Sequence, residues 1–308
     1  MHNHFIFWII FSVIIAVMFY IDLYVTAHRK GKVGLKASLI WSGVWIASAL
    51  LFNLLILIFL DNGHVMAIEF LAGYLVEKSL SVDNLFVFLM IFNVLGIKEE
   101  NQPHVLKWGI MSAIVLRILF ILGGIALITF FHPIIYFFGT LLLYASYKMA
   151  FGKDGQIDLK KNPVVRFASK YFNIVTDYSG NRFFTKRNGK IVFTQLFLAF
   201  LLVESADIVF AVDSIPAVIA ITRDPFIVIT SNIFAILGLR ALYFALAALV
   251  DIFVYLKYGV AVILAYVGVK MLITDLYPIP TVVSLAVIIL CLVAAIVLSL
   301  MKKRHASA

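Results

Sequence analysis

An all-α, polytopic membrane protein with about nine transmembrane helices is the fold class this sequence predicts, on three observations. The 308 residues are 64% hydrophobic and 13% charged, with a mean hydropathy of +1.07, far from soluble-domain averages. A spanning helix needs roughly 20 apolar residues to cross about 30 Å of hydrocarbon. Nine such runs occur, near 5–24, 39–60, 66–95, 109–131, 133–151, 191–221, 226–250, 257–275 and 281–301. Finally, Lys and Arg collect in alternate loops, as cytoplasmic retention of basic segments requires.

In chain order, the first run opens MHNHFIFWII, with no basic leader and no small-residue cleavage site after it, and reads as a retained helix. The basic HRKGKVGLK follows, whereas DNGH at 61–64, FHP at 131–133 and LYPIP at 276–280 carry no Lys or Arg. The segment 152–190 and the terminal KKRH are basic again, and Arg223 alone breaks the alternation. This pattern predicts a multi-pass protein of a bacterial inner membrane, N-terminus outside and C-terminus cytoplasmic. The +9 formal charge is then topology and calls for no nucleic acid. The chain reads as one transmembrane domain, 1–308. Its loop 152–190 sets nine Lys or Arg against Asp154, Asp158 and Asp177, and NRFFTKRNGK within it suits anionic lipid headgroups. The plainer reading is a solvated basic loop.

An internal repeat is visible. The third run contains EKSLSVDNLFVF from Glu77 and the sixth DIVFAVDSIPAV from Asp207, and each is followed by an Arg-bearing run (Arg117, Arg240) and then a Lys-Met run (Lys148, Lys270). By the loop count, helices 3–5 (about 66–151) and 6–8 (about 191–275) run in opposite senses, an inverted repeat of the kind that supports alternating access.

The acids are the unusual feature. At about 1.5 Å per residue, Glu77 and Asp83 lie roughly 9 Å apart along one helix, as do Asp207 and Asp213 along the other. Antiparallel packing makes two tiers, with Glu204 one turn from Asp207 and with Asn84 and Ser214 returning to the faces of their acids. Pro216 is expected to interrupt its helix and free the carbonyl of Val212 as a further ligand. Cys291 is the single cysteine and the seven histidines fall in tails or loops, so any membrane metal should be one that accepts oxygen, such as Mn²⁺, Ca²⁺ or Mg²⁺.

A static salt-bridge network is the rival reading, since Glu77, Asp83, Glu204, Asp207 and Asp213 lie where Lys78, Arg117, Arg240 and Lys270 can pair with them. Each buried charge costs about 2.5–3.5 kcal/mol on insertion scales, and intramembrane ionisable groups mark ion pathways by default. The two readings combine if Arg117 or Arg240 occupies the acids when the site is empty and yields to an arriving divalent cation. An enzyme is not expected: Asp83 and Asp213 could form a dyad, but the Tyr-Asp and Gly-x-Gly-Asp contexts of intramembrane aspartyl proteases are absent. The other alternative is a membrane partner protein that assists secretion or maturation of other proteins, docking through loop 152–190.

At EKSLSVDN, ESADIVFAVDSIPAV, TRDPFIVITSNIFAILGLRALYF and YGVAVILAYVGVKMLI the chain resembles the TerC family of bacterial integral membrane proteins, its Alx-like branch in particular, from about residue 15 to 300. The resemblance implies an inner-membrane protein of a family named for tellurium resistance whose better-supported role is manganese export. It implies Glu77, Asp83, Asn84, Glu204, Asp207, Asp213 and Ser214 as metal-site residues. No permanently bound cofactor is expected; Mn²⁺ is cargo. Direct tellurite chemistry fits poorly with one cysteine.

Overall fold

The computed structural model describes residues 2–22, 34–131, 133–151, 163–175, 180–187, 190–249, 255–277 and 279–306. For Asp83 and Asp213, among others, only the backbone is described. The first basic loop and parts of segment 152–190 lie outside these residues. Each apolar run is helical: α1 (His2–Tyr20), α2 (Leu35–Phe59), α3 (Gly63–Val94), α4 (Gln102–Phe130), α5 (Ile134–Phe151), α7 (Gln195–Ile219), α8 (Pro225–Ile236) with α9 (Leu239–Leu249), α10 (Leu256–Leu272) and α11 (Thr281–Ala306). Among the described residues, α2, α4, α5, α7 and α11 are long and apolar enough to cross a membrane, and α8 with α9 makes a sixth span if that bent pair is counted as one. Helix α3 carries Glu69, Glu77, Lys78 and Asp83 and is too charged to count by composition alone.

Two expectations about local structure are corrected. Helix α7 runs through Pro216 without a break, as membrane helices can where neighbours re-satisfy the freed backbone. The interruption falls in the next run instead, where α8 and α9 meet at a 41° bend. There Leu237 is extended and Gly238 adopts φ +82°, a left-handed conformation natural to glycine. A Cβ on Gly238 would also lie 2.4 Å from Trp45 Cδ1, so α2 leaves no room for a side chain. Helix α8 begins on Pro225, with Asp224 Oδ1 accepting from Phe226 N at 2.8 Å, a capped start that defines a short helix buried on every side.

The second correction concerns segment 152–190, which is folded where described. It contains α6 (Pro163–Tyr171), β1 (Ile174–Val175) and β2 (Phe184–Arg187), and β3 (Lys190–Thr194) continues directly into α7. The sheet order is β1-β3-β2, with β1 parallel and β2 antiparallel to β3. Phe172, Phe193 and Phe197 cluster at the start of α7, Phe172 edge-on to the other two, and Phe183 meets His104 of α4 at 4.8 Å, so the insert is fastened to the end of the helical bundle.

At the opposite end the core is aromatic: Phe7 and Phe11 of α1, Phe52 of α2, Phe70 of α3 and Phe234 of α8 pack in edge-to-face and tilted pairs. Helices α5 and α10 approach closest at paired glycines. A Cβ on Gly139 would meet Gly268 O at 3.0 Å, and one on Gly268 would meet Gly139 O at 2.9 Å.

Candidate functional site

Arg117 of α4 is the largest side chain with essentially no solvent exposure, and three other helices, α3, α7 and α8, converge on it. Its Nη1 pairs with Glu77 Oε1 of α3. Nη2 meets Asp207 Oδ1 of α7 at 3.0 Å, with Nε 3.5 Å from Asp207 Oδ2. Nη1 also donates to Ser214 Oγ and to Asn232 Oδ1 of α8, each at 3.3 Å. Asn232 Nδ2 donates in turn to Glu77 Oε2 at 3.1 Å, and Ser81 Oγ to Glu77 Oε1 at 3.4 Å. One guanidinium therefore bridges acids from two oppositely running helices. A rigid planar fork suits this, because its fixed donors can address two carboxylates at once.

Counting the described groups, two carboxylates face one guanidinium, which leaves the cluster one negative charge in excess. Chemically, such a set can exchange its cation: removing Arg117 exposes a dicarboxylate ringed by neutral oxygens from Ser214 and Asn232, and a divalent ion would neutralise it. Hard cations take that ligand set. Among the described residues no three His, Cys, Asp or Glu side chains form a ready-made metal cluster.

Glu204 is a separate feature. It is buried, and its Oε1 has no hydrogen-bond partner among the described residues. It borders a cavity of about 20 Å³ shared with Asp207, Leu106, Gly109 and Ile110, space for about one water. A Cβ on Gly109 would already lie 3.4 Å from that oxygen, so the glycine makes the space. Asn84 is buried beside the site helix pair. The side chains of Asp83 and Asp213 lie outside the described residues.

The four bases do not act alike. Arg117 pairs with Glu77 and Asp207. Arg240 instead pairs with Asp22, just beyond α1, its Nη2 lying 3.3 Å from Asp22 Oδ1. Lys78 Nζ donates to the carbonyl of Ala235 at 3.0 Å and lies 3.5 Å from that of Leu237, so it serves the backbone freed at the α8–α9 break. Lys270 Nζ donates to Ser284 Oγ of α11 at 3.0 Å, far from the acids of the centre. The geometric reason is the break itself, which places Arg240 beyond the bend while Asn232, before it, turns inward.

Asn232 escaped the sequence reading because a neutral amide adds no charge to an apolar run. The polar trio Thr230, Ser231 and Asn232 inside IVITSNIF was the available signal. Glu69, two turns into α3, was also missed; it lines a cavity at the far end of the bundle.

A multi-helix membrane fold enclosing a buried carboxylate–arginine centre defines a polytopic integral membrane protein with an intramembrane polar site. The model of the integral membrane protein TerC family matches residues 62–307. The chain belongs to the TerC family. It is 43% identical over 299 residues to the Escherichia coli K12 protein named "Putative membrane-bound redox modulator Alx", covering 95% of this chain and 93% of that one. An uncharacterized membrane protein of Myxococcus xanthus is 44% identical over 299 residues, covering 97% and 93%. One from Rickettsia felis is 38% identical over 296 residues, covering 96% and 98%. No solved structure matches the chain.

Proposed function

We propose that this protein is a transporter that exports a hard divalent cation, Mn²⁺ first among them, through the centre between α3 and α7. The observation that carries the reading is the sharing of fully buried Arg117 by Glu77 and Asp207. Arg117 stands in for the cargo: when a divalent ion takes the two carboxylates, with Ser214 Oγ and Asn232 Oδ1 as neutral ligands, its two positive charges balance the pair where the guanidinium supplied one. Asp83, Asn84, Glu204 and Asp213 complete the polar path, with Glu204 on the side of the sheet insert. A structural salt bridge alone gives no reason for the second carboxylate.

The reading includes nine spans, the N-terminus outside, and α3–α5 and α7–α10 as inverted repeat units. The packing supports the repeat. Exchanging α3 with α7, α4 with the α8–α9 pair and α5 with α10 turns the α3–α8 contact into the α7–α4 contact and leaves α3–α7 and α5–α10 unchanged. Aligning Lys148 with Lys270 pairs Gly139 with Ala261 and Ser146 with Gly268. The close Gly139–Gly268 approach then has as its mate the Ser146–Ala261 contact, where Ser146 Oγ donates to Ala261 O at 2.8 Å.

The redox effect in the relatives' name is attributed here to membrane metal balance, because a lone Cys291 offers no thiol pair within the chain. The same holds for any tellurium tolerance. The test is flux: vesicles carrying the protein move Mn²⁺, and Glu77→Gln, Asp83→Asn and Asp207→Asn each stop it with the thermal melt still cooperative. Undiminished flux in all three variants overturns the site assignment.

A further inference from the structure

A second polar cavity, of about 260 Å³, opens at the end of the bundle opposite the sheet insert and is lined by Glu69, Ile219, Thr222, Arg223, Lys270 and Thr274, among others. Three helices end at it: Ile128 comes from the last turn of α4, Ile219 closes α7, and Met271 belongs to the last turn of α10. These last turns carry the negative end of the helix dipole, which favours a cation, while the first turn of α5, through Ile135, brings one positive end to the same cavity. Glu69 adds a formal negative charge, with the Thr222 hydroxyl beside it and Lys270 within electrostatic reach. Arg223 at the rim is exposed to solvent and its charge is screened there.

The cation present is Lys270. It is 93% buried, since its relative exposure is 7%. It is held by Ser284 Oγ at 3.0 Å, and Ser284 in turn lies 3.1 Å from Tyr266 Oη. A buried ammonium that donates to Ser284 and lines the same cavity as the Glu69 carboxylate occupies the place a free cation would take. The two-fold relation makes the arrangement one-sided: Lys148, the counterpart of Lys270, is exposed at the other end.

We propose that this cavity is a second divalent-cation site, with Glu69, Thr222 and Thr274 as oxygen ligands and Lys270 as its tethered occupant. It lies about 12 Å along α3 from Glu77, at eight residues and about 1.5 Å each. Resting on the transport reading, it is the station through which the ion leaves on the extracytoplasmic side, with Lys270 expelling the ion and closing the site behind it.

Mn²⁺ bound to the full-length, detergent-solubilised protein is counted by electron paramagnetic resonance. Lys270→Ala is expected to bind one more Mn²⁺ per chain than wild type, and Lys270→Ala/Glu69→Gln no more than wild type. Lys270→Met keeps the bulk of the stem if the alanine variant does not fold, and is expected to show the same gain. The gain is also expected on an Asp207→Asn background, so it stands or falls apart from the central site. If neither Lys270 variant binds an additional ion on either background, the inference is overturned, whatever the flux assays show.

Discussion

Replacing Arg117 with Met tests the central exchange directly. The side chain is fully buried and makes ion pairs to Glu77 and Asp207 as well as hydrogen bonds to Ser214 and Asn232. Removing one partner of a buried ion pair costs about 3–5 kcal/mol, because the other charge remains without compensation. Here two carboxylates remain, so the loss should lie at the upper end of that range. A ligand that binds only the folded state restores about 2.7 kcal/mol at a hundredfold excess over its Kd. In wild type the ion must first displace Arg117, which reduces its net gain; in the variant it does not. Tryptophan-fluorescence melts in detergent, with and without Mn²⁺, read both quantities. Arg117→Met should melt well below wild type without metal and recover more on adding Mn²⁺ than wild type gains. An equal or larger Mn²⁺ response in wild type refutes the exchange, and an unshifted melt in the variant refutes the ion pair.

Further outcomes follow from packing. Gly238→Ala forces a side chain into φ +82° and against Trp45, and should cost about 2 kcal/mol or more in a melt, with Trp45→Ala recovering the steric part only. Gly139→Val and Gly268→Val each push a side chain into the partner's backbone carbonyl and should destabilise by similar amounts, about 1–3 kcal/mol, as reciprocal contacts demand. Asn232→Ala removes a bond to Glu77 and one from Arg117. It should lower stability by about 3 kcal/mol or more, since each of the two hydrogen bonds to a charged group is usually worth about 1.5–3 kcal/mol.

The long apolar runs were legible because hydrocarbon thickness and backbone satisfaction leave helices as the only open solution. The run at 191–221 became α7, Gln195–Ile219. The α8–α9 break was not legible: in IFAILGLRALYF one glycine sits in an apolar run whose only charge is Arg240, and membrane helices tolerate glycine. Only the docking of Trp45, 193 residues earlier in the chain, turns that tolerance into a requirement. Pro216 misled for the converse reason, a strong local signal overridden by its surroundings. The insert's sheet had a readable cue in Asn188-Gly189 between FFTKR and KIVFT, the signature of a two-residue hairpin. The acids of the centre were legible from their cost in a membrane. Their sharing of a single arginine was not, since spacing along one helix says nothing of which base from another helix arrives first.

On the proposed reading, the two arginines that correspond in the repeat separate an exchangeable pair from a structural one. Arg117 holds Glu77 of α3 and Asp207 of α7, whereas Arg240 pairs with Asp22, just beyond α1. Double-mutant cycles on stability should therefore find coupling in both Arg117–Asp207 and Arg240–Asp22, on the order of 0.5–3 kcal/mol for residues in contact. Saturating Mn²⁺ should abolish the first coupling, because the ion takes the carboxylate and the guanidinium leaves. It should leave the second unchanged, because the proposed path of the ion does not include Asp22. If Mn²⁺ weakens both couplings together, the ion acts on the whole fold; if it weakens neither, Arg117 is a fixed strut and the carboxylates it holds are not a transport site.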